Sequence, residues 1–276
     1  MAAMTNEVTI DGIEIALPAR PGVLAELSTE IETEEPDFGK VSALVNSDLG
    51  LAAEVVRTAN SPYFGVSGRI ASVRQAINFL GLSQVFNLVT EVMLRRVFPT
   101  NDPLMDALWD TSTKRAGLMA RLARNTPVPV ERAYTAGLFQ DCGVAVLAEL
   151  VPNYRLTWQR TRWLPNAPWI ERIEHVIDHP AVSALLVEQW GLPDEIAQAV
   201  RLHHDIDGLD TPPLPERTRS LVALSVLANF VLVQALSQDA SLWEASFSKA
   251  SAMLDVPLMV AQTWAEQASS LLESPR

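Results

Sequence analysis

From Pro21 onward the apolar positions recur at three- and four-residue spacing, and that period predicts a helical protein. Leu24, Leu27 and Ile31 share a face behind Pro21. Phe38, Val41 and Leu44 follow Asp37, which is placed to cap a helix, and Leu51, Ala52, Val55, Val56 and Ala59 make the next stripe. Ser72 with Gln75 has capping-box spacing ahead of Val73, Ala76, Ile77 and Leu80, and Gly81 is placed to end that helix. A further helix from Ser83 carries Val85, Leu88, Val89 and Val92. Only the beginning of the chain alternates with period two. Val8 and Ile10, a two-residue Asp11-Gly12 turn, then Ile13 and Ile15 predict a hairpin pairing Ile10 with Ile13 and Val8 with Ile15.

The run Phe98-Pro99-Thr100-Asn101-Asp102-Pro103 is the clearest breaker in the first half and marks a lobe boundary. Beyond it the pattern predicts helices near 103–125, 130–141, 143–150, 169–178, 180–190 and 193–204. A proline-rich loop follows from Ile206 to Pro215, and then helices near 216–238, 241–253 and 257–273. The expected class is all-α with a short N-terminal β-hairpin. Its expected organisation is an N-terminal hairpin over 1–16, a helical lobe over 17–100, a second helical lobe over 101–240, and a C-terminal helical extension over 241–276 packed on the second lobe. The stretch from Leu221 to Leu236 is apolar enough to raise a membrane span, but Ser225, Asn229 and Gln234 within it favour a buried core helix.

Composition narrows the function classes. With 48% hydrophobic and 20% charged residues the chain is too apolar to be disordered. At 276 residues it buries roughly three quarters of its unfolded surface. A net charge of −12 argues against general nucleic-acid binding, which needs lysine and arginine against phosphate. The single Cys142 excludes an internal disulfide and a multi-cysteine zinc module, and it reads as a small buried hydrophobe rather than a nucleophile. The N-terminal residues show no signal-peptide pattern, so a cytoplasmic location is expected. The sequence has no glycine-rich phosphate loop, no Gly-x-Ser-x-Gly elbow and no internal repeat.

Four places could carry chemistry. All the histidines, His175, His179, His203 and His204, lie in one stretch, at helix ends and beside Asp178 and Asp205. Imidazole with carboxylate is a transition-metal ligand set, while histidines near a helix C-terminus also satisfy its carbonyls and dipole. Gln140-Asp141-Cys142-Gly143 sets a polar pair inside AGLFQDCGVAVLAEL, which suits either side chains turned into a cavity or a capping aspartate. ANSPYFGVSGRI places Tyr63, Phe64 and Arg69, with Arg74 just beyond, in or beside a loop that either plugs the first lobe or meets a ligand or partner. NYRLTWQRTRWLPNAPW combines Arg155, Arg160 and Arg162 with Trp158, Trp163 and Trp169. It suits recognition of a nucleotide or acidic partner, or burial of the tryptophans against the second lobe.

Several ordered segments carry a resemblance to a known family. LPARPGVLAELSTEI, LVNSDLGLAAEVVRTANSPYFG and RIASVRQAINFLGLSQVFNLV are followed by ALWDTSTKRAGLMARLA, AYTAGLFQDCGVAVLAEL and DHPAVSALLVEQWGLPDEIAQAVRLHHD, and then by a later LAN. Together they resemble the HDOD domains, relatives of the HD-domain metal-dependent phosphohydrolases. The resemblance implies a two-lobe helical fold. In catalytic HD proteins the metal is held by a histidine after the lobe boundary, a His-Asp doublet and a late aspartate. The matching positions are Thr111, Gln140 with Asp141, and Asn229, so only one of those ligands is kept. His179 and either His203 or His204 match accessory ligands.

The resemblance therefore implies no catalytic residue, no bound cofactor and a vestigial pocket at Thr111, Gln140, Asp141, His179, His203, His204 and Asn229. A single divalent transition metal on Asp141, His179 and His204 is the alternative. The expected function is a non-catalytic bacterial signalling module that binds a partner protein through Tyr63, Phe64, Arg69 and Arg74. It would sit near cyclic-dinucleotide or two-component pathways, with self-association open and no nucleic-acid or membrane partner. The alternatives are a metal-dependent phosphohydrolase of nucleotides or cyclic dinucleotides, and a nucleotide sensor without chemistry.

Overall fold

The computed structural model describes residues 4–10, 12–61, 64, 68–98, 102–207, 214–236 and 238–273, with the side chains of 4–6 and 268–273 left aside. Contacts divide the chain into two compact units. One comprises residues 20–98, the other residues 4–19 together with 102–273.

The regular elements of the first unit, among the described residues, are all helices. Its helices are α1 (Gly22–Ile31), α2 (Phe38–Asn46), α3 (Leu49–Ala59), α4 (Val73–Leu80) and α5 (Leu82–Val97). Capping follows the sequence signals at Asp37 and Ser72, and Asp48 supplies a further cap that the sequence reading did not single out. Asp37 accepts from Gly39 N and Lys40 N, Asp48 from Leu51 N, and Ser72 from Gln75 N, while the Gln75 amide oxygen accepts from Ala71 N. Such caps satisfy backbone N–H groups that the first helical turn leaves without partners. Gly81, at φ +82°, closes α4 and opens α5, a conformation that L side chains rarely adopt. The core takes Leu24, Leu27, Val41, Val45, Leu51, Val55, Ala59, Val73, Ala76, Ile77, Val85 and Leu88. Phe38 departs from the expected stripe. It lies 48% exposed, because α2 turns Val41, Ser42 and Val45 inward instead.

Asn60 organises the loop after α3. Its side-chain amide donates to Val56 O at 2.7 Å and Ile70 O at 2.8 Å, and its carbonyl accepts from Ile70 N at 2.9 Å. One side chain thereby ties the end of α3 to the backbone of Ile70, ten residues later. Tyr63 lies outside the described residues; Phe64 is half-buried, and Arg69 and Arg74 are exposed.

The second unit holds the hairpin, β1 (Met4–Ile10) and β2 (Ile13–Pro18), in the expected register: Val8 faces Ile15 and Ile10 faces Ile13. Ile15 and Leu17 are buried, and Trp190 Nε1 donates to Pro18 O at 3.1 Å. The hairpin is thus bound into this unit by a tryptophan more than 170 residues away in sequence. Its helices are α6 (Pro103–Ala123), α7 (Val130–Phe139), α8 (Cys142–Leu150), α9 (Tyr154–Thr161), α10 (Ala167–His175), α11 (His179–Gln189), α12 (Asp194–Arg201), α13 (Glu216–Ala235), α14 (Glu244–Met253) and α15 (Leu258–Glu273). Helix α13 is long and apolar enough to cross a membrane, but its side chains are buried on nearly every face, and α6, α7, α12, α14 and α15 pack around it. An all-round apolar helix is what the middle of a helical core requires.

Two glycines set the closest approaches. A methyl group at Gly137 of α7 would lie 2.9 Å from Ala116 Cα of α6. One at Gly143 of α8 would lie 2.5 Å from His179 O and 2.6 Å from Ser183 N of α11. Gly143 N also donates to Ser183 Oγ at 2.8 Å. These contacts press the start of α8 against the start of α11, and that juxtaposition brings Asp141 beside His179.

Candidate functional site

The site lies inside the second unit, where the α7–α8 junction, the start of α11, the end of α12 and the middle of α6 and α13 meet. Gln140 and Asp141 occupy the junction, and both are buried. Asp141 Oδ2 is 2.7 Å from Arg115 Nη2, and Arg115 Nε donates to Asn229 Oδ1 at 2.8 Å. The other carboxylate oxygen, Oδ1, is 3.5 Å from both His179 Nε2 and His203 Nε2, which are themselves 3.4 Å apart. Gln140 Oε1 accepts from Ser225 Oγ of α13.

Each of the three clustered histidines is oriented by its other ring nitrogen. His179 Nδ1 meets the Glu171 carboxylate at 2.9 Å, His203 Nδ1 meets Val200 O at 2.6 Å, and His204 Nδ1 meets Pro165 O at 2.8 Å. Carboxylates and carbonyls only accept, so each imidazole donates Nδ1–H and presents Nε2 to the cluster. His179, His203 and His204 offer ligand atoms within 4.8 Å of one another. His175 stands apart, with its Nε2 2.8 Å from Thr157 Oγ1.

Electrostatics follow from burial opposed by partners. Burial alone would raise the Asp141 pKa, yet Arg115, His203 and His179 together hold it far below the usual carboxylate range. Burial works against a charged His179, but the Glu171 and Asp141 carboxylates outweigh it and raise its pKa. His203 and His204 move the other way because desolvation dominates, and both favour the neutral ring. Burial likewise pushes the Cys142 thiol up, which keeps it protonated and inert.

Of the positions singled out from sequence, Gln140, Asp141, His179, His203, His204 and Asn229 are brought together. Both members of the His203-His204 pair belong to the cluster: His203 approaches Asp141, while His204 also lines a recess beside Trp243. Thr111 does not meet Asp141 directly. Its hydroxyl donates to Ala107 O within α6, one turn before Arg115. Sequence reasoning missed Arg115 and Glu171. The available signal for Arg115 was a charge on the buried face of α6, between Ser112 and Met119. The tryptophans of the arginine-rich segment divide: Trp158 is buried against His179, and Trp169 is 64% exposed.

Fold and site together define a two-unit helical protein of the HD-like fold class in which the buried Asp141 is held by Arg115. The HDOD domain model matches residues 17–206, and the chain belongs to the HDOD family. Over 93% of its length it is similar in fold to a candidate phosphohydrolase from Shewanella amazonensis, 93% of which is covered, with TM-score 0.72 and 18% identity. It is similar in the same way to an HDOD domain protein of unknown function from Geobacter sulfurreducens, with TM-score 0.68 and 22% identity over 93% of this chain and 90% of that one. A protein of Treponema pallidum is 24% identical over 220 residues, 78% of this chain and 42% of its own length. The YuxH protein of Bacillus subtilis is 27% identical over 109 residues, 40% of this chain and 27% of its own. The chain therefore spans less than half the length of these two curated relatives.

Proposed function

We propose that this HDOD protein is a non-hydrolytic regulatory module that acts by binding a protein partner in a bacterial signalling pathway. The observation that carries the reading is Arg115, whose guanidinium bonds both Asp141 and Asn229. A bridged two-metal centre needs acidic and imidazole ligands clamped around an attacking oxygen. Here the doublet carboxylate is neutralised by a fixed cation, and Gln140 and Asn229 are weakly coordinating amides. The HD-type two-metal cluster does not fit these residues. Partner binding is supported by what the first unit exposes: Phe38, Leu49 and Phe79, together with Arg69 and Arg74. Aromatic and arginine side chains are the ones most enriched at interface hot spots.

Two measurements test the reading. Purified protein with added manganese should turn over neither nucleotides nor cyclic dinucleotides; turnover lost in a folded Asp141→Asn variant would overturn the non-hydrolytic assignment. Affinity capture from the native cell should retain a partner that the Arg69→Ala/Arg74→Ala variant loses; retention by that variant would overturn the assigned surface.

The three oriented imidazoles favour a second reading, a single divalent transition ion on His179, His203 and His204. The donor set suits zinc or iron, and the anchored Nδ1–H groups are the outer shell that such ligands require. Metal analysis of protein purified without chelator decides: a stoichiometric ion that is lost in His204→Gln supports this reading, and its absence from folded wild type rejects it.

A further inference from the structure

We infer that the recess beside the Arg115–Asp141 pair is a binding site for a tetrahedral oxyanion, the terminal phosphate of a small molecule. This goes beyond the regulatory reading, which requires no ligand. Arg115, Gln140, Arg162, Asn229, Trp163 and Trp243 contribute to the lining of the recess. Three buried donors on that lining are unpartnered among the described residues: Arg115 Nη1, Gln140 Nε2 and Arg162 Nε. A buried donor without a partner costs free energy, so three at one recess point to a group that accepts from them. They come from α6, the end of α7 and the residue following α9, and three separate donors match three oxygens better than the two of a carboxylate.

Charge points the same way. The carboxylate lining the recess, Asp141, is engaged by Arg115 on one oxygen and by His179 and His203 on the other. Arg162 has no carboxylate partner among the described residues and rests over Trp163, with its guanidinium carbon 5.2 Å from the ring centroid. In a protein with 33 acidic against 21 basic residues, an arginine left without an acid beside a recess is a cation reserved for something else. Phosphate is the natural match for a guanidinium fork. The three donor atoms are screened from solvent, so entry requires side-chain motion.

Calorimetric titration of the full chain with inorganic phosphate, at constant ionic strength and with acetate in parallel, tests the proposal. Phosphate should bind at one site and acetate more weakly. Arg162→Ala should weaken phosphate by roughly tenfold or more, the value of a lost charge-assisted bond. Arg160→Ala, which removes a surface cation paired with Glu174, should leave binding unchanged. Asn229→Asp gives an independent check, because a second carboxylate at the recess should abolish binding in a protein that remains folded. Absence of phosphate binding to folded wild type, equal loss in Arg160→Ala, or undiminished binding in both Arg162→Ala and Asn229→Asp would overturn the site. Hydrolysis by the wild type would sink the regulatory reading while leaving this titration interpretable on its own.

Discussion

Arg115 and Asp141 form a buried ion pair, 2.7 Å between Nη2 and Oδ2, with each side chain only 4% exposed. The arginine comes from the middle of α6 and the aspartate from the α7–α8 junction, so the pair also fastens two helical layers together. Removing one member of such a pair strands the other charge in a low-dielectric interior. Arg115→Met should therefore cost about 3–5 kcal/mol in urea unfolding. The double variant Arg115→Met/Asp141→Asn should recover much of that loss, since no uncompensated charge is left. A double variant no more stable than Arg115→Met would show that the guanidinium acts mainly through packing.

Gly143 permits the contact that builds the site. Any side chain there collides with His179 O and Ser183 N, which are backbone atoms and cannot rotate away. Gly143→Ala is expected to destabilise by about 1–3 kcal/mol, the usual cost of overpacking. Gly22→Ala, where nothing lies within 4 Å of the added methyl, should be neutral or slightly stabilising. Equal midpoints for the two variants in chemical denaturation would contradict the close approach of α8 and α11.

In the first unit, the Asn60 side chain makes two hydrogen bonds to the Ile70 backbone and one to Val56 O of α3. Asn60→Ala leaves Ile70 N and Ile70 O without these partners and should cost about 1–3 kcal/mol. Amide hydrogen exchange at Ile70 should accelerate in the variant. Unchanged protection there would refute the clamp.

Asp48 caps α3 and pairs with Arg96, and the Arg96 hydrogen bond, followed by that from Leu51 N, lowers its pKa from 3.8 to about 2. A folded pKa below the unfolded one gives stability that is present above the unfolded value and lost as pH falls through the folded one. The difference in stability between wild type and Asp48→Asn should thus be greatest near neutral pH and close as pH drops from about 4 to about 2. A gap constant across that window would show that the charge on Asp48 contributes nothing.

Much of the fold is legible in the chain. The hairpin register, the caps at Asp37 and Ser72, the break before Pro103 and the core placement of the stretch from Leu221 to Val233 all follow from near-neighbour chemistry, whereas Gln234 to Leu236, expected in the same core helix, are exposed. The site is legible only as a set of candidates. Gln140, Asp141, Asn229 and the three clustered histidines stand out by residue type. Arg115 does not, because an arginine in a helix is ordinarily a solvated one.

By itself the sequence determined the helical class and most of the helices, because periodicity, capping and residue identity act over a few positions at a time; it missed α9 (Tyr154–Thr161) and began α10 two residues late. The tertiary structure decided the rest. It set Arg115 against Asn229 across 114 residues, chose the outward nitrogen of His179 by placing Glu171 behind it, and joined the hairpin to Trp190. Those outcomes depend on which helix faces cross and how closely. Crossing distance is fixed by packing at positions such as Gly137 and Gly143, whose importance no local pattern displays.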